Sequence, residues 1–130
     1  MSVLTTFNNQ LINFSNSLVQ RFPGNENLSF TNTSIKTLIK CNIKKPIELF
    51  TVHIYKYKDL INNCDEKKLL EINFSSDYSD YSKDSFNIMN DIKSCWKDLD
   101  SDEKKNIWNY LKVLIKLNEK EISNTIEKMK

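Results

Sequence analysis

Apolar residues recur at spacings of three and four along most of this chain, which is the period of an amphipathic α-helix. The clearest run lies near the start, at Leu4, Phe7, Leu11, Phe14, Leu18 and Phe22. Pro23-Gly24 follows this run and ends the predicted helix. Because the run is short for a free-standing coiled coil, we interpret its apolar face as part of a core.

The same period predicts shorter helices through the middle of the chain. Proline is tolerated in a first helical turn, so Lys45-Pro46 indicates a helix start. Asp65-Glu66 is a second cap, for one or two turns that carry Leu69 and Leu70. The predicted middle helices run from about Thr31 to Cys41, from Pro46 to about Asn62, and from Asp84 to Asp98.

The last predicted helix is the longest. Asp100 and Glu103 have the spacing of residues that accept hydrogen bonds from first-turn amides, so a helix is expected from Ser101 to near Lys128, about 40 Å long. Its apolar face contains Ile107, Leu111, Leu114, Ile115, Asn118, Ile122 and Ile126. We therefore expect an all-α fold, a single compact domain over residues 1–130 with five to six helices.

A polar, acidic stretch at about 73–84 interrupts the helical pattern. It contains a tandem Asp-Tyr-Ser and almost no aliphatic residues. We interpret it as an exposed, solvated loop. Hydroxyls beside carboxylates also suit phosphorylation by an acidophilic kinase, which is the alternative.

Composition and charge exclude some classes of function. The net charge of +2 is far below that of a dedicated nucleic-acid binder. The chain has one arginine, one glycine and no alanine, a bias typical of AT-rich coding DNA, which by itself raises the lysine count. Lysine abundance is therefore weak support for nucleic-acid binding.

Cysteine usage favours an intracellular setting. Cys41, Cys64 and Cys95 are widely spaced, and His53 is the only histidine, so we expect reduced thiols and no zinc site. The first ten residues lack the pattern of a signal peptide, and no stretch is apolar enough to span a bilayer. We expect a cytoplasmic protein, with the nucleus as the alternative, and no membrane partner.

Catalytic motifs are missing from the sequence. It has no Gly-x-Ser-x-Gly elbow, no glycine-rich phosphate loop and no His-Glu-x-x-His pair. Asp65-Glu66 and Asp102-Glu103 are explained as helix caps, and His53 as a residue of an apolar helix face. We therefore expect no enzyme activity, no cofactor and no small-molecule substrate.

Aromatic residues exceed the needs of a core of this size. The surplus consists of Phe30, Phe74, Tyr78, Tyr81, Trp108 and Tyr110. Because exposed aromatic residues often anchor interfaces, Trp108 and Tyr110, together with Tyr78 and Tyr81, are candidate partner-binding residues. The alternative for Trp108 is that it closes the core beside Trp96.

A resemblance covers most of the chain. It is carried by Phe7-Asn8-Asn9-Gln10-Leu11 with Phe14 and Phe22-Pro23, by Tyr55-Lys56-Tyr57-Lys58-Asp59-Leu60-Ile61 before Asp65-Glu66, by Trp96-Lys97-Asp98-Leu99, and by Ile107-Trp108-Asn109-Tyr110-Leu111. In these features the chain resembles a group of small uncharacterised proteins encoded by nucleocytoplasmic large DNA viruses. The resemblance implies a eukaryotic host and a viral factory or virion setting. It implies no activity and no catalytic residues.

A local pattern is similar to the high-mobility-group box, a three-helix domain that kinks DNA from the minor groove. It is carried by Lys44-Lys45-Pro46 with Phe50, and by Trp96-Lys97-x-Leu99 with Glu103-Lys104. The acidic 73–84 stretch, the helix that precedes the pattern and the near-neutral charge depart from that family. Under this resemblance the candidate nucleic-acid contacts are Lys36, Lys40, Lys44, Lys45, Lys105, Lys112 and Lys116.

Together these observations favour a non-enzymatic module that binds protein, as a structural or accessory component of a larger assembly. The alternative is a DNA-binding protein of the high-mobility-group-box type.

Overall fold

The structure is a computed structural model that describes residues 2–74 and 88–129. Within these ranges the chain is helical and forms no strand, which confirms the all-α prediction and the long C-terminal helix. The helices are α1 (Val3–Arg21), α2 (Glu26–Cys41), α3 (Lys45–His53), α4 (Lys58–Asn62), α5 (Glu66–Glu71), α6 (Ile88–Cys95) and α7 (Ser101–Met129). Two 3₁₀ turns, Tyr55–Tyr57 and Trp96–Asp98, follow α3 and α6.

Helix α1 lies at the centre and packs against both α2 and α7. Its predicted apolar face is buried. Phe7, Leu11 and Phe14 on that face have no solvent-exposed surface. The Phe14 ring stacks on Tyr110 of α7 at a centroid distance of 5.0 Å, and Phe7 meets Phe50 of α3 edge to face at 5.2 Å. The stripe predicted from the sequence is thus the inner face of a core helix.

Helix α2 begins five residues earlier than the predicted start at Thr31, which is therefore wrong. Asn25 is the cause, because its side-chain oxygen accepts a hydrogen bond from the amide of Leu28 at 3.1 Å. This cap satisfies a first-turn amide and lets the polar residues after it continue as helix. Leu28 then lies in the core.

The third predicted helix is divided into α3, a 3₁₀ turn and α4. Helix α3 ends after His53, at the fully buried Ile54, whose amide donates to the carbonyl of Phe50 at 2.8 Å. Helix α3 packs against α1, α2 and α7, whereas α4, after the break, packs mainly against α7.

The predicted cap of α7 is confirmed, and both of its reciprocal hydrogen bonds are present. Asp100 accepts from the amide of Glu103 at 2.8 Å, and Glu103 accepts from the amide of Asp100 at 3.0 Å. The Glu103 carboxylate also pairs with Arg21, whose guanidinium donates to the carbonyl of Asp98 at 2.8 Å. The only arginine of the chain therefore ties the end of α1 to the start of α7.

The segment before α7 differs from the predicted single helix at Asp84–Asp98. Helix α6 is described from Ile88, and its last turn becomes the 3₁₀ turn Trp96–Asp98, so that Cys95 and Trp96 are both buried. Thr31 of α2 donates to the buried Asp91 of α6 at 2.5 Å.

The predicted loop at 73–84 is corrected at its start. Phe74 is buried and meets Tyr57 edge to face at 5.0 Å, so it belongs to the core. The rest of that stretch, with the candidate residues Tyr78 and Tyr81, lies outside the described residues.

Candidate functional site

The apolar stripe of α7 extends beyond the core of the domain. Leu114, Ile115 and Asn118 are buried, but Ile122 is only half-buried and Ile126 is 51% exposed. With 29 residues, α7 is about 43 Å long and is the longest helix of the described ranges. An apolar face therefore continues where the core of the domain does not cover it.

The uncovered part of α7 forms one wall of a groove of about 370 Å³. Helix α3 forms the opposite wall, and the first turn of α1 closes one side. The residues that line the floor and walls are Leu4, Ile47, Thr51, Asn118, Ile122 and Ile126. We call this feature the α1–α3–α7 groove. Its size and mainly apolar lining are those of a binding cleft.

Asn118 places one polar group in the wall of this groove. Thr51 donates its only hydroxyl proton to the carbonyl of Ile47 at 2.8 Å, so towards Asn118 it can act only as an acceptor. The group of Asn118 that faces Thr51 at 2.7 Å must therefore be Nδ2, a donor. Its Oδ1 is buried and has no hydrogen-bond partner among the described residues, which costs about 1–3 kcal/mol.

Charged side chains stand at the rim of the α1–α3–α7 groove. Lys44 and Glu48 lie on the α3 side, and Glu121 lies on the α7 side. Among the described residues, none of the three forms an ion pair. The groove thus combines an apolar floor with polar edges, the usual arrangement of an interface core and its rim.

Trp108 is only 6% exposed and lines a surface depression beside Cys64. Its ring meets Trp96 edge to face at a centroid distance of 5.3 Å. This contact fits the alternative interpretation, in which Trp108 closes the core beside Trp96. Tyr110 is half-buried because it stacks on Phe14. Of the surplus aromatic residues that the structure describes, Phe30 is the one that stands well exposed, at 56%.

The candidate lysines are spread over α2, α3 and α7. Lys105 and Lys112 line one depression beside Cys64, whereas Lys44 lies at the α1–α3–α7 groove. All seven have solvent-accessible side chains, and Lys112 is the one that is half-buried. Three of the candidate nucleic-acid contacts therefore lie at two separate surface features.

The cysteines are all free thiols in the structure. Cys41 and Cys64 are exposed, whereas Cys95 is buried, and burial raises the pKa of its thiol to about 11. Within residues 2–74 and 88–129, no group of His, Cys, Asp and Glu side chains is arranged to hold a metal ion. In the same ranges, no helix is long and apolar enough to cross a membrane.

The α1–α3–α7 groove was not predicted from the sequence, although three of its lining residues lie on a predicted apolar face of α7. Asn118, Ile122 and Ile126 belong to the predicted apolar face of α7. The sequence signal for an uncovered surface was that this apolar face continues after Leu117 to Ile122 and Ile126, which is longer than a core of this size needs. The opposite wall depends on where α3 docks, and helical periodicity carries no information on docking.

Comparison with known proteins gives no match to a family model, to a curated protein or to a solved structure. The two resemblances stated from the sequence therefore stay predictions, and the groove is interpreted from its own geometry.

Proposed function

We propose that this chain is a non-enzymatic protein-interaction module and that the α1–α3–α7 groove binds its partner protein. The observation that carries the proposal is the apolar stripe of α7, which leaves the core at Asn118 and continues over Ile122 to the half-exposed Ile126. An apolar groove between two helices is a common docking site for a third helix.

The proposed role in the cell is that of a structural or accessory component of a larger assembly. The resemblance to proteins of large DNA viruses supports a viral factory or virion as its setting, in the cytoplasm of a host cell. A DNA-binding protein is the competing proposal, and the same experiment tests it.

The test compares two substitutions on α7. Ile126→Glu places a charge in the groove, whereas Val113→Glu places the same charge at a site outside it that is 42% exposed. Since both side chains are exposed, both variants should keep the helical circular dichroism of the parent chain. The tagged proteins are purified from their native cells, with and without nuclease, and bound proteins are identified by mass spectrometry.

We expect partner proteins that survive nuclease, remain bound to Val113→Glu and are lost from Ile126→Glu. Partners that both variants retain would contradict the assignment of the groove. Partners that disappear with nuclease, with nucleic acid recovered from the untreated sample, would support the DNA-binding alternative.

A further inference from the structure

The polar groups of the α1–α3–α7 groove are almost all acceptors. The hydroxyl protons of Thr51 and Thr125 are committed to the carbonyls of Ile47 and Glu121, at 2.8 and 2.9 Å. The amide of Asn118 donates to Thr51, and within residues 2–74 and 88–129 no donor reaches its buried Oδ1. A molecule that fills the groove therefore meets oxygen lone pairs and few available protons.

The rim adds two carboxylates to these acceptors. Glu48 on α3 and Glu121 on α7 have no cationic partner among the described residues. Two glutamates elsewhere are engaged, since Glu66 pairs with Lys104 and Glu119 accepts from Tyr55. Lys44 is the one cation among the residues that line the groove. The rim is thus net negative although the whole chain carries +2.

The shape of the groove fits a helix. The lining residues of α7 follow the spacing of one helix face, at Asn118, Glu121, Ile122, Thr125 and Ile126. They extend over about two turns, or about 12 Å, facing α3 across an apolar floor. A third helix with apolar residues at i, i+3, i+4 and i+7 matches this length and lining.

We infer that the α1–α3–α7 groove binds a cationic amphipathic helix of a partner protein. Its apolar stripe covers Ile122 and Ile126, and lysine or arginine residues beside that stripe face Glu48 and Glu121. This inference rests on the proposed function and specifies the chemistry of the partner.

The experiment uses the full chain and three fluorescent helical peptides of about 18 residues. The peptides share one apolar stripe and carry Lys, Gln or Glu at the flanking positions. Fluorescence anisotropy at low ionic strength gives Kd for each peptide. We expect the Lys peptide to bind tightest, by about fivefold over the Gln peptide, and this difference to shrink as salt is added.

Two double variants test whether the preference for the Lys peptide arises from the glutamates at the rim of the groove. Glu48→Gln with Glu121→Gln should bring the Lys peptide to the affinity of the Gln peptide. The matched control, Glu26→Gln with Glu71→Gln, removes the same charge from exposed glutamates that do not line the groove and should leave the preference intact. Equal effects of both double variants would assign the preference to net charge and overturn the inference.

The remaining outcomes separate this inference from the proposed function. Equal binding of all three peptides, abolished by Ile126→Glu, would overturn the cationic partner and leave the groove as a docking site. Failure of every peptide to bind would contradict both. A dimer of the chain alone in analytical ultracentrifugation, lost in Ile126→Glu, would identify a second copy as the occupant and overturn the inference.

Discussion

Asn118 and Thr51 join the two helices that form the walls of the α1–α3–α7 groove, through a hydrogen bond of 2.7 Å from Nδ2 to the threonine hydroxyl. The bond fixes the orientation of the amide, because the proton of that hydroxyl is used on the carbonyl of Ile47. It therefore also fixes which atom of Asn118 stays unpaired. The unpaired Oδ1 is buried, so its cost falls on the stability of the fold.

Replacing Asn118 with leucine should make the protein more stable. Leucine has a similar size and removes the unpaired oxygen along with one ordinary hydrogen bond. We expect the free energy of unfolding to rise by about 1 kcal/mol. Urea denaturation followed by circular dichroism measures this change.

Thr51→Val provides the contrast with Asn118→Leu. It removes the acceptor of Asn118 and leaves both ends of the amide unpaired, so we expect a loss of about 1–2 kcal/mol. If both variants changed stability in the same direction, the unpaired oxygen would not be the cause.

Trp108 should behave as a core residue. Truncation to alanine removes its contact with Trp96 and leaves a cavity, which should lower the free energy of unfolding by about 3–5 kcal/mol. Phe30→Ala, at an exposed aromatic residue, should cost under about 0.5 kcal/mol. Thermal denaturation of the two variants beside the parent chain makes the comparison. A small effect of Trp108→Ala would contradict its place in the core.

Helix ends that are marked by local sequence signals, such as a cap or a proline, were predicted well. Helix α1 ends where Pro23-Gly24 ends the pattern, and α7 begins with the cap that Asp100 and Glu103 form. The break at Ile54 was not predicted, because no glycine or proline marks it. Its cause is tertiary, since α3 packs against α1 and α2 as well as α7, whereas the main partner of α4 is α7.

The exposure of single side chains was harder to predict than helix positions. Trp108 and Tyr110 are two residues apart on α7, and helical geometry alone allows either to face the core. In the structure Trp108 is buried against Trp96, whereas Tyr110 is half-buried against Phe14. Which face of a helix becomes a surface depends on the partners it packs against, and these are far away in sequence.

Asp91 should make the protein more stable in mild acid than at neutral pH. It is 7% exposed, and burial raises the pKa of its carboxyl from 3.8 to about 6 despite the hydrogen bond from Thr31. The folded state therefore binds the proton more tightly than the unfolded state. Stability from this group increases as the pH falls from about 7 to about 4, by up to about 3 kcal/mol.

Asp91→Asn tests this dependence. The variant should be more stable than the parent chain at pH 7, and the difference should vanish towards pH 4. Chemical denaturation at several pH values in this range gives the two curves. Parallel curves would show that Asp91 titrates in the folded state as it does in the unfolded chain.

The cap of α7 should have a measurable effect that is specific to Asp100. Asp100→Ala removes the acceptor of the Glu103 amide and should lower the free energy of unfolding by about 1 kcal/mol. Asp102→Ala, also in the first turn, removes a charge near the helix N-terminus without removing the cap, so we expect about 0.3–0.5 kcal/mol. High salt screens the charge effect and leaves the cap hydrogen bond, so in 1 M salt the loss from Asp102→Ala should disappear while most of the loss from Asp100→Ala remains. If both variants lost the same free energy of unfolding and both losses disappeared in salt, Asp100 would act only through its charge.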